Sequence, residues 1–363
     1  MIRDVAKWWT VVIPGLALLA LVGSWGRELP VVLVILLALL LAGAVLAAVH
    51  HAEVIAHRVG EPFGSLVLAV AVTVIEVALI VSLMISGGTQ TGALARDTVF
   101  AAVMITCNGI VGLSLLTATL KRRIAAFNAE GTGTALATVA TLSTLSLVLP
   151  TFTTSARGPA FSPAQLGFAA VVSLALYGLF VLTQTVRHRD YFLPVQAEGR
   201  PPTDEEHAPR PSGRTTLTSL GMLLVALVSV VGLAKVESPV IETAVSAAGL
   251  PQAVVGVVIA LLVLLPETIA AIRAARRDQV QISLNLALGS AMASIGLTIP
   301  AIAVASIFLD GPLLLGLGGT HMVLLALTVV VSTLTVVPGR ATLLQSGVHL
   351  VLFASFLFLA VSP

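Results

Sequence analysis

Eleven runs of apolar residues, most of them about twenty residues long, set the terms on which this chain folds. They lie near 8–24, 30–50, 64–86, 98–120, 132–154, 163–186, 215–235, 251–272, 280–308, 313–336 and 341–361. A helix rises ~1.5 Å per residue, so about twenty residues cross the hydrocarbon core of a bilayer. In lipid the backbone must satisfy its own hydrogen bonds, which leaves helices or a closed barrel. The runs are continuous and show no alternation over ten-residue strands, so the reading is an all-α polytopic membrane protein. Charge agrees: 10% of residues are charged, against roughly 25% in soluble domains.

The first run follows Arg3 and Lys7 and lacks a small-x-small cleavage site before Trp25, which predicts a retained helix over 1–29 rather than a removed leader. The longest polar interruption, 187–214, holds five arginines and Asp204-Glu205-Glu206, and reads as a solvated linker between two halves, 30–186 and 215–363. With the N-terminus in the cytoplasm, fifteen of the nineteen Lys and Arg fall inside, which predicts a cytoplasmic-membrane protein with its C-terminus outside. The single Cys107 sits in an apolar run and excludes an intrachain disulfide. No GxxxxGK[ST] occurs, so no nucleotide site is expected, and the net charge of +2 gives no reason to expect nucleic acid.

Setting the first helix aside, five runs precede the linker and five follow it. An odd number of spans per repeat makes corresponding helices run in opposite directions, the layout of many secondary transporters. In each half an acid stands in the second run, Glu76 in one and Glu267 in the other. A run with polar oxygens then follows: Thr106, Asn108 and Ser114, and Ser283, Asn285, Ser290 and Ser294.

A carboxyl at mid-membrane depth costs a few kcal/mol, and chains keep one there where ions or protons pass. Of the seventeen Asp and Glu, all but Glu76 and Glu267 fall in loops or near segment ends. Pro266 precedes Glu267, and a proline within a helix frees a carbonyl one turn back. Freed carbonyls, carboxylates and Asn or Ser oxygens suit a hard cation. Two carboxylates in a dry site repel, so without a cation at least one holds a proton. Cation and proton then compete for the same oxygens, which couples their fluxes. The alternative is a pair of lone protonated acids, with Glu267 snorkelling towards Arg273.

The stretches Ala52-Glu53-Val54-Ile55-Ala56-His57-Arg58-Val59-Gly60 through Glu76, and Leu264-Leu265-Pro266-Glu267 through Gly289-Ser290 to Pro300, resemble the two repeats of the Ca2+/cation antiporter superfamily. The pattern is most similar to bacterial ChaA-type calcium/proton antiporters that also exchange sodium or potassium. That resemblance implies a ten-helix inverted-repeat core plus one helix, with cation held between Glu76 and Glu267 as metal ligands. It also places Gly289 and Ser290 in the following helix of the site. Related plant and fungal exchangers carry Gly-Asn before each acid, whereas this chain has Val72-Thr73 and Val263-Leu264. Two amide oxygens are therefore missing, and Thr73, Asn108 and Asn285 are candidates to supply others.

The expected function is a secondary antiporter, not an enzyme, that exports Ca2+ and also Na+ or K+ against H+, with no cofactor. The runner-up is a monovalent cation/proton antiporter with little Ca2+ activity. Its partners would be inorganic cations, protons and the bilayer, with self-association into a homo-oligomer left open. His50, Glu53 and His57 share a helix face at a spacing that can ligate metal, which would suit a metal-dependent intramembrane enzyme. Glu53, His57 and Glu61 fit a cytoplasmic mouth for cations better, and a plain solvated helix end accounts for them more simply than either. His321 and His349 read as packing histidines, and Gly87-Gly88 and Gly311 as turns.

Overall fold

The computed structural model describes residues 2–27, 29–60, 63–87, 92–194, 211–308 and 311–363. Glu61, Gly88 and Asp204-Glu205-Glu206 lie outside the described residues. The helices are α1 (Ile2–Ser24), α2 (Val31–Val59), α3 (Phe63–Gly87), α4 (Leu94–Met104), α5 (Val111–Arg122), α6 (Ala129–Ser143) and α7 (Leu149–Phe152). After them come α8 (Pro163–Leu182), α9 (Gly213–Ala247), α10 (Ala253–Val263), α11 (Leu265–Arg276), α12 (Val280–Ala305), α13 (Gly319–Val336) and α14 (Leu343–Val361). Every one of the eleven apolar runs overlaps a helix. Among the described residues nine spans are long and apolar enough to cross a bilayer, α10 with α11 makes a bent tenth, and Trp8–Ser24 is a shorter apolar helix.

Two spans are interrupted, each for a local reason. A π-helical turn, Ile105–Ile110, joins α4 to α5 and widens the helix around Asn108. α10 and α11 meet at 52°, because Pro266 in the first turn of α11 has no N–H to continue the ladder. The run expected at 313–336 becomes helical only at Gly319. Before it, Leu314, Gly316 and Leu317 donate their N–H groups to the carbonyls of Gly92, Pro159 and Leu147. A backbone tied to three separate segments has no groups left for a helix.

Large apolar side chains cover much of the outside, such as Leu39, Phe168 and Leu334, each 67% exposed, as a lipid-facing surface requires. Inside, one apolar core joins α4, α5, α6, α8 and α10 to α14 around Phe100, Met104, Leu142 and Met292. A second joins α1, α2, α3, α9 and α10 around Ala44, Ala48, Val230 and Leu233. Packing matches across the halves. α3 packs on α12 as α10 packs on α4, and α8 packs on α12 as α14 packs on α5.

The polar contacts gather at two opposite ends. At one, Lys121 and Arg122 pair with Asp278, and Gln281 accepts from the Asn128 N–H. The same end holds the two-stranded pairing of β1 (Ile124–Ala126) with β2 (Arg340–Thr342) and the bond from Arg58 to the Pro211 carbonyl. At the other, Arg96 pairs with Asp97 and donates to the Gly316 carbonyl. The chain is a multi-pass membrane protein, and the grouping follows from helices that alternate in direction.

Candidate cation site

Glu76 and Glu267 open onto one cavity of about 220 Å3. α3 lines it from Leu68 to Glu76, α10 and α11 from Ala260 to Glu267, and α12 from Ile282 to Ser294. Tyr177 and Gln184, from α8 and the turn that extends it, close the remaining side. α3, α8 and α12 contribute only the halves nearer the Arg58 and Asp278 end, so the cavity runs from mid-bundle towards that end. Beyond Glu76 the interior is packed shut by Ile80, Phe100, Ile295 and Ile299, all at most 1% exposed.

The two acids arrive by different routes. Glu76 sits mid-way along the unbroken α3 and is 3% exposed. Ser294 Oγ donates to its Oε1 at 2.6 Å, and Thr298, one turn further along α12, lies beside the same carboxyl without completing a hydrogen bond. Glu267 sits in the first turn of α11, at a helix start whose free N–H groups favour an anion. It lies within electrostatic reach of Glu76 and of Glu53.

Three buried oxygens here lack a partner: Glu267 Oε2, Thr73 Oγ1 and Thr298 Oγ1. Buried polar atoms are nearly always paired, so such a group around two acids has the donor set of a hard-cation site. Among the described residues no three His, Cys, Asp or Glu side chains converge. The His50, Glu53 and His57 face is therefore no assembled metal centre: His50, Glu53 and His57 are all exposed.

Of the other expected residues, Gly289 and Ser290 line the cavity, and so does Asn285. The Asn285 amide is already used, donating to the Phe192 carbonyl at 2.7 Å and accepting from Gln281 at 2.8 Å. Asn108 lies apart. It donates to Thr328 Oγ1 at 2.9 Å and meets His349 Nδ1 at 3.2 Å in a separate buried network. His349 is fully buried and hydrogen-bonded, and the His321 ring lies tilted against Phe100 with centroids 4.9 Å apart, in keeping with packing roles.

Some residues were missed. Thr298 continues the Ser290, Ser294 spacing of four along one helix face, a signal present in the sequence. Nothing local marks Tyr177 or Gln184, which reach the cavity only because α8 packs on α12. The sequence sets Glu237 near a segment end, yet α9 continues to Ala247 and buries it to 2% exposure.

Comparison with known proteins adds to this geometry. The family described as sodium/calcium exchanger protein matches residues 29–186 and 218–362. A protein of Sinorhizobium fredii, y4hA, named provisionally as an ionic transporter, is 46% identical over 98% of this chain and 96% of its own. The sodium-potassium/proton antiporter ChaA of Escherichia coli is 35% identical over 96% of this chain and 94% of its own. The crystal structure of the H+/Ca2+ exchanger CAX superposes with a TM-score of 0.68 at 17% identity, covering 97% of this chain and 88% of that one. With both halves matched and a relative of that identity along nearly its whole length, the chain belongs to the sodium/calcium exchanger family, in the ChaA-type branch of the Ca2+/cation antiporters.

Proposed function

We propose that the chain is a secondary antiporter that exports Ca2+, and also Na+ or K+, in exchange for protons, with Glu76 and Glu267 binding either cation or protons. One observation carries the reading: acids 191 positions apart open onto a single cavity with unpartnered hydroxyls around them. Two carboxylates close enough to interact do not both stay charged in a dry site. Two protons or one divalent ion neutralise the pair, and a monovalent ion with one proton does so as well. Exchange follows if the empty, doubly charged site does not cross.

The matching packing of the two halves supports two inverted five-helix repeats, 30–186 and 215–363, preceded by the helix of 1–29. The excess of Lys and Arg at the Arg58 end supports placing that end, and the N-terminus, in the cytoplasm of a bacterial inner membrane. The cavity then faces inward, with Glu53 and His57 beside its mouth. The monovalent reading is favoured by the name of the Escherichia coli relative and by the absence of amide oxygens at Val72-Thr73 and Val263-Leu264. Everted vesicles loaded with a pH probe test both. Ca2+ and Na+ should each dissipate an imposed proton gradient, and Glu76→Gln or Glu267→Gln should abolish the response to both. A response that survives either change defeats the proposal, and a response to Na+ alone leaves the monovalent reading.

A further inference from the structure

Besides Asp97, which pairs with Arg96, another carboxyl outside the cavity lies inside the bundle. Glu237 is 2% exposed, and its Oε1 has no hydrogen-bond partner. α9 and α3 both begin at the Arg58 end, where Arg58 donates to the Pro211 carbonyl just before α9. Glu237 is 24 residues into α9 and Glu76 is 13 into α3, which at ~1.5 Å per residue sets Glu237 roughly 16 Å beyond Glu76 towards the far end.

Two nearby positions limit its direction around the helix. Ser229 donates to the Pro14 carbonyl and Gly232 adjoins Leu21, so those two positions face α1. At ~100° per residue Glu237 points roughly 80° to 140° away from them, off the α1 face, and at 2% exposure it is covered by protein. Lys235 turns elsewhere and lies over the Trp25 ring at 5.3 Å. The carboxyl is thus inside the bundle, on the closed side of the packed layer above Glu76.

Exchanging the two proposed repeats puts α9 in the place of α2, whose own late acid is Glu53. The two acids differ in one respect. Glu53 stands at the open end and is exposed, whereas Glu237 stands at the closed end and is buried. Inverted repeats that trade conformations give this asymmetry, since whichever half faces water exposes its acid.

We infer that Glu237 is the far-side relay acid, passing cations and protons between Glu76 and the water opposite the arginine-bearing end when the site opens that way. The inference rests on the antiport reading above. In sealed right-side-out and everted vesicles, Glu237→Gln should raise the KM for Na+ or Ca2+ offered from the far face about tenfold, and change the KM from the arginine-bearing face by less than about twofold. Glu53→Gln should show the opposite preference. Unchanged KM at both faces overturns the relay, and so does a loss that is equal from both.

Accessibility gives an independent measure. Cys107 is buried and is the only cysteine, so Glu237→Cys is made with Cys107→Ala. A membrane-impermeant thiol reagent at the far face should modify that variant only when a cation gradient drives the site open to that face. Inertness under every gradient overturns the relay. Exchange that survives Glu76→Gln would sink the antiport reading, whereas a silent Glu237→Gln beside an inactive Glu76→Gln sinks the relay alone.

Discussion

Ser294 Oγ donates a 2.6 Å hydrogen bond to Glu76 Oε1, joining α12 of the second half to α3 of the first at the centre of the bundle. Both residues are at most 4% exposed.

Removing that donor should therefore alter binding rather than folding. A hydrogen bond to a charged group contributes about 1.5–3 kcal/mol, so Ser294→Ala should raise the cation KM about tenfold. The deprotonated carboxylate loses its donor, and protons then compete better against the cation. The defect should deepen as pH falls, and Ser294→Thr, which keeps the hydroxyl, should recover most of it. A KM within twofold of the parent at every pH argues against the role.

Asn108 should behave differently, although it looked like a ligand in the sequence. Its amide is shared between Thr328 and His349 and does not line the cavity. Asn108→Ala removes one partner each from Thr328 and His349, leaving them Met104 Sδ and Thr335 alone, at a cost of about 1 kcal/mol for each lost bond. Thermal unfolding in detergent should show the loss, with cation KM in the surviving protein nearly unchanged.

Asp278 closes the turn between α11 and α12 with a φ of 65° and pairs with Lys121 and Arg122. The Arg122 hydrogen bond, helped by Lys121, holds its carboxyl below the usual 3.8. A lowered value means that the folded chain binds the proton less tightly than the unfolded one. The stabilisation is complete above pH ~4 and is lost as pH drops through the folded value. Exposed pairs contribute little, so Asp278→Asn should lower the melting temperature only slightly at neutral pH, with the difference vanishing in acid. Asp278→Ala should cost about 1 kcal/mol more, because Asn tolerates the left-handed backbone and Ala does not.

Gly256 lets α10 pack directly on the α4 backbone. A Cβ there would meet the Thr98 nitrogen at 2.9 Å and the Asp97 carbonyl carbon at 3.0 Å, both backbone atoms that cannot swing aside. Gly256→Ala should destabilise by about 1–3 kcal/mol, and Gly256→Val by more, read as a lower unfolding temperature in detergent. A variant as stable as the parent would mean that the two helices separate easily.

The sequence by itself determined the number and placing of the helical runs, since a lipid-facing backbone has few alternatives and twenty apolar residues are a strong signal. It also marked Glu76 and Glu267, because a charge deep in such a run is costly and stands out against its neighbours. Element ends were weaker. Leu313–Gly318 is as apolar as any helix, and its bonds to Gly92, Arg96, Leu147, Thr151 and Pro159 hold it extended. The reach of α9 past residue 235 hid Glu237 for the same reason, because a segment end in sequence is a matter of composition and not of packing. Tertiary structure alone decided which polar groups share the cavity. Asn108 and Asn285 carry the same side chain at related positions, yet one is spent in a distant network and the other borders the site with its amide engaged. Which side chains face one another depends on how the helices rotate and cross, and those angles arise from contacts between residues far apart in the chain.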